Sequence, residues 1–149
     1  MAPPPAEELY TKLTSYWDGI KALKPDSPQS EYDKVLSYCT PDATSYFAGM
    51  GAPPSKGQAE FLASLKSLTQ YWALLDRRIV TEAATSNGLT TTVIVEMDNR
   101  LRIMGEELDF PELEVVEFNG EGLIANYRLY CDPSPIRDII TRKMAEKKK

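Results

Sequence analysis

Histidine is absent from the 149 residues. That excludes Ser–His–Asp and Cys–His catalysis and removes the commonest zinc ligand. The two cysteines, Cys39 and Cys131, lie far apart and in no metal-ligand spacing, so reduced thiols are favoured over a disulfide. No metal and no cofactor is expected. No apolar run reaches the roughly 20 residues of a membrane helix. Positive charge is in deficit: Lys and Arg total 17 against 22 Asp and Glu, a net charge of −5, which argues against nonspecific nucleic-acid binding. The opening MAPPPAEE lacks the basic and apolar blocks of a signal peptide, so a cytoplasmic protein is expected. Any chemistry here must come from carboxylates, tyrosines, lysines or cavity shape.

What is present suffices for one domain with a real core, since 42% of the residues are hydrophobic. The expected organisation is a disordered proline-rich arm over 1–6, one domain over 7–140 and a basic tail over 141–149. Leu9, Leu13, Tyr16, Trp17 and Ile20 share one stripe at helical spacing, which predicts a helix over 7–23. A short helix follows over 31–37, stopped at 39–42 by Pro41. ATSYFA (43–48) suits a strand, and GMGAPPSK (49–56) a flexible loop. A third helix runs to about Trp72, with Phe61, Leu62, Leu65, Leu68 and Trp72 on its apolar face.

Strands follow over 75–85, 89–102, 107–119 and 122–132. Asn87-Gly88 is a hairpin signal and NGEG (119–122) a tight turn. Pro111 requires an edge, a bulge or a strand entry. A short closing helix is expected over 136–145. Helices first and a strand meander after predict an α+β fold, with helices on one face of a curved sheet. The strand over 90–102 looks apolar on both faces, which predicts a homodimer through the sheet face that the helices leave open.

Helix, helix, TPDATSYFAGMGAPPSKGQAEFLASL, then strands closing in FNGEGLIANYRLYCDPSPI: this order resembles the SnoaL-like branch of the NTF2-like superfamily over about 7–140. The resemblance implies an α+β cone in which helices and a strongly curved, mostly antiparallel sheet enclose a pocket, often with a dimer on the outer sheet face. It also implies relatives such as limonene epoxide hydrolases, ketosteroid isomerases, scytalone dehydratases, polyketide cyclases and fungal secondary-metabolite isomerases, alongside non-catalytic binding members. Of the epoxide hydrolases' Asp–Arg–Asp triad, the strand Asp matches Asp98, while Glu96 stands at the Arg and Leu129 at the last-strand Asp. The proton-carrying Asp of ketosteroid isomerases falls near Phe47 and is missing, and their oxyanion-donating acid falls on Glu114. The two pocket histidines of scytalone dehydratases have no counterpart.

Glu96 and Asp98, at i and i+2, point to the same face of their strand, about 6–7 Å apart. If desolvated, they raise one another's proton affinity and form an acid–base pair. If that face is solvent, they are ordinary charges. Glu114 is either a polar outer-face residue or a pocket acid held neutral by apolar walls. Tyr46, beside Ser45, is either an orienting donor or a core tyrosine. Tyr16, Trp17, Trp72, Tyr127 and Leu129 are the expected pocket walls. The expected function is cofactor-free isomerisation, cyclisation, dehydration or epoxide opening of a hydrophobic, oxygenated small molecule in secondary metabolism. Asp98 would be the base, Glu96 or Glu114 the acid, and Tyr46 and Tyr127 the orienting groups. The rival is a non-catalytic module that binds a ligand or a protein.

Overall fold

The computed structural model describes residues 2–48 and 52–148. Three helices line the concave side of one curled, mixed sheet. Helix α1 (Ala6–Ala22) follows the extended Pro5 and buries Leu9, Leu13, Tyr16, Trp17 and Ile20, the stripe that its sequence period predicts. Helix α2 (Gln29–Leu36) turns Tyr32, Val35 and Leu36 inward. Strand β1 (Cys39–Ala48) begins earlier than expected and carries Pro41 at a register shift between Cys39 and Thr44. Much of the loop expected at 49–56 lies outside the described residues, as do Met1 and Lys149. Ser55–Lys56 forms the short strand β2.

Helix α3 (Gln58–Leu68) starts behind Gly57, whose φ of 84° few L-residues adopt. It ends before Trp72, which opens strand β3 (Trp72–Asp76) instead of closing the helix. The single strand expected over 75–85 is broken at Arg77 and Arg78: β4 (Ile79–Ser86) resumes after them, with register shifts on either side, between Leu74 and Asp76 and between Ile79 and Thr81. Strands β5 (Thr91–Ile103), β6 (Glu106–Phe118) and β7 (Ile124–Tyr130) complete the sheet. Helix α4 (Ser134–Lys147) carries the basic C-terminal residues into regular structure.

The order is β2-β1-β7-β6-β5-β3, with β4 also on β5. The pairs are antiparallel except β1 with β7, which run parallel. Pro111 meets the constraint on strand prolines. The last β6–β7 pair is Leu113 with Tyr130, so β6 is a free edge on that side at Pro111.

Which face is inside follows from parity. On β5, Val93, Val95, Met97, Asn99, Leu101 and Ile103 are buried, while Ile94, Glu96 and Arg102 are exposed. On β6 the inward set is Phe110, Glu112, Glu114, Val116 and Phe118. Two carboxylates, with Asn99 and Thr91, therefore interrupt a largely apolar inner face.

Candidate active site in the cone

Between the helices and the sheet lies a narrow cavity of about 50 Å³. Tyr16, Trp17, Phe47, Tyr71, Trp72, Phe110, Tyr127 and Leu129 form much of its wall, and among the described residues its lining carries one carboxyl, Glu112. A water needs roughly 10–15 Å³ of such space, so the cavity holds a few waters as it stands. A larger ligand must part the side chains.

Glu114, one inward step along β6, is 0% exposed. Three donors converge on it from different elements. Trp17 of α1 donates Nε1–H to Oε2 at 2.8 Å, and the Tyr127 hydroxyl donates to the same oxygen at 2.7 Å. Arg77 pairs with Oε1 at 2.5 Å. Arg77 reaches inward because it stands at the β3–β4 break, and such an irregularity re-aims a side chain. The Arg78 amide, beside it, is held by Asn99 Oδ1 at 3.1 Å. A buried carboxylate survives when paired and fully hydrogen-bonded. Glu114 is thus an internal counter-ion that fixes the phenol of Tyr127. Burial, reinforced by Glu114, raises the Tyr127 pKa well above the ordinary value, so its phenol stays neutral.

Among the described residues Glu112 has no cation of its own. It accepts one hydrogen bond, from the Asn99 amide at 2.7 Å. Burial lifts its pKa from 4.5 to about 7; Asn99 and Arg77 oppose the rise and Glu114 adds to it. At neutral pH it exchanges a proton readily in either direction, the condition for general acid or base catalysis. The thiols do not compete for this role. Both are free, and burial pushes Cys39 up to about 12 and Cys131 up to about 11. Among the described residues no cluster of three Cys, Asp or Glu side chains could hold a metal ion.

Trp17, Tyr16, Trp72, Tyr127 and Leu129 meet at the cavity, with Glu114 packed behind. Glu96 and Asp98 do not. Glu96 is exposed and Asp98 half-buried, both on the outer face, beside a shallow depression with Val80, Leu113 and Tyr130. Their desolvated pairing inside the cone is corrected by the parity of β5, which turns Met97 and Asn99 inward in their place. Asp98 serves the sheet through its backbone, donating N–H to Arg78 O and accepting from Arg78 Nε. Tyr46 is 37% exposed and on the outer parity of β1, away from the cavity. Sequence reasoning missed Glu112, Asn99 and Arg77. The first two were findable, because they share parity with Phe110 and Leu101 on apolar strand faces. Arg77 was not, because its direction depends on a break in the strand.

No protein-family model matches the chain, and no curated protein sequence does. Solved structures do resemble it. An LEH-like epoxide hydrolase from M. tuberculosis superposes with a TM-score of 0.64 at 16% identity, covering 95% of this chain and 96% of that one. A ketosteroid isomerase-like protein from Erwinia carotovora atroseptica gives 0.64 at 14% identity, covering 83% and 92%. A polyketide cyclase-like protein from Xanthomonas campestris gives 0.56 at 13% identity, covering 83% and 90%. At such identities the likeness concerns the fold. The chain has an NTF2-like α+β fold, a curled sheet and helices closed around a cavity.

Proposed function

We propose that this protein is a cofactor-independent enzyme that moves a proton on a hydrophobic, uncharged, oxygenated small molecule. The observation that carries this reading is Glu112, the one carboxyl in the lining of an aromatic cavity, buried and poised near neutrality. The Arg77–Glu114 pair cancels its own charge, so an uncharged ligand suits the site. Glu112 acts as base towards a C–H beside a carbonyl, or as acid towards a carbonyl or epoxide oxygen. Tyr127 and Trp17, held by Glu114, orient the ligand. Isomerisation, cyclisation, dehydration and epoxide opening all fit this proton chemistry, and the structural neighbours described as an epoxide hydrolase, an isomerase-like protein and a cyclase-like protein are consistent with it.

The test uses decan-2-one in D₂O, with loss of its α-protons followed by proton NMR. The protein should accelerate exchange over buffer. Glu112→Gln should slow it by about 100-fold, the lower end of a general base's contribution, and Asp98→Asn should leave it unchanged. Binding without accelerated exchange would favour the rival reading, a ligand-binding module. Exchange lost in Asp98→Asn and kept in Glu112→Gln would return the chemistry to the outer face.

We also propose that two copies pair through the outer sheet face, where Val80, Ile94, Leu113 and Tyr130 are 61%, 39%, 38% and 42% exposed.

A further inference from the structure

A second, more open groove of about 410 Å³ lies beside the Glu112 cavity. The two share the side chains of Phe47, Phe61, Leu65, Leu68 and Tyr71, so α3 and the end of β1 form a common partition. The linings differ in chemistry. The inner cavity is aromatic, with one acid. The outer groove carries Ser45, Ser55, Ser64 and Ser67 and, among the described residues, no charged side chain. Ser55 and Ser64 bond each other at 2.9 Å. Ser45 is 5% exposed, and its Oγ has no hydrogen-bond partner among the described residues. A buried hydroxyl left unpaired is unfavourable and uncommon. Its position on the groove wall gives it a use.

We infer that the serine groove is a second subsite, in which Ser45 and its serine neighbours bind an uncharged hydroxyl or carbonyl at the far end of a substrate whose reacting end lies against Glu112. The inference rests on the assignment of the Glu112 cavity as the reacting site and adds to it the substrate's shape: elongated, uncharged and oxygenated at both ends. Phe47 and Tyr71 then move aside as the ligand spans the partition. Ser45 is here a specificity residue and takes no part in the chemistry.

Binding of decan-2-one and of 10-hydroxydecan-2-one, followed by tryptophan fluorescence, tests this. One neutral hydrogen bond corresponds to about fivefold in affinity. The hydroxylated compound should bind about fivefold tighter, and Ser45→Ala should remove that advantage while leaving the Kd of decan-2-one unchanged. Ser45→Cys, closer in volume, should behave like Ser45→Ala and guards against a packing effect. Equal binding of the two compounds by the unaltered protein would overturn the subsite. So would an advantage that persists in Ser45→Ala. Failure of decan-2-one itself to bind would overturn the assignment of the inner cavity, and the subsite with it.

Discussion

Glu112→Gln should change how stability depends on pH, and the size follows from the site. Burial raises the Glu112 pKa from 4.5 to about 7. Between these values the unfolded chain has released the proton and the native state keeps it. The unfolded state therefore binds fewer protons, and stability falls as pH rises. The contribution is fully present below about 4.5 and is lost as pH passes through 7. A gap of about 2.5 pH units at about 1.4 kcal/mol per unit comes to about 3 kcal/mol. Exposure of Glu112 is only 8%, so solvent screening takes little from this figure. Glutamine does not titrate, and its carbonyl can still accept from Asn99. Urea unfolding of both proteins from pH 4.5 to 8 isolates the effect, because carboxylates that do not interact with Glu112 cancel in the difference. The substituted protein should gain about 3 kcal/mol on the parent over that range. Parallel curves would refute the idea that Glu112 is held protonated by burial.

Arg77→Met leaves Glu114 buried without its cation and should cost about 3–5 kcal/mol in urea unfolding. Adding Glu114→Gln should recover most of that loss, because what destabilises is the uncompensated charge; a single variant within 1 kcal/mol of the parent, on the scale of an exposed pair, would show the ion pair to be dispensable. At the outer sheet face, Leu113→Lys should yield a monomer in sedimentation at concentrations where the parent sediments as a dimer, and a monomeric parent would rule out pairing there.

Local chemistry made much of the fold legible. Asn87 and Gly88 turn the β4–β5 hairpin as expected: Asn87 Oδ1 accepts from the amides of Leu89 and Thr90, and Gly88 has φ 88°. Asn119 does the same for the β6–β7 turn, accepting from the amides of Glu121 and Leu123. The α1 stripe is buried as its period requires. Contacts between distant segments were less readable. The parallel pairing of β1 with β7 leaves no local signature. Trp72 fits a helix by spacing, yet its neighbours pair with β5, and tertiary pairing decides the matter. The site divided along the same line. Aromatic walls were visible because core and cavity coincide in this fold. Of the candidate acids Glu114 lies inside the cone, whereas Glu96 and Asp98 lie on the outer face. The parity of their strand against Val93, Val95 and Met97 already turned them outward once the helices covered the other face.

The central claim is that Glu112 is the protonatable group inside the cone. It is tested most directly by carbon-13 NMR of the glutamate side-chain carboxyls, with Glu112→Gln used to assign the resonance. A midpoint near 7 for Glu112, moving when decan-2-one is bound, is the predicted result. A midpoint at the ordinary value of 4.5, indifferent to the ligand, would contradict it.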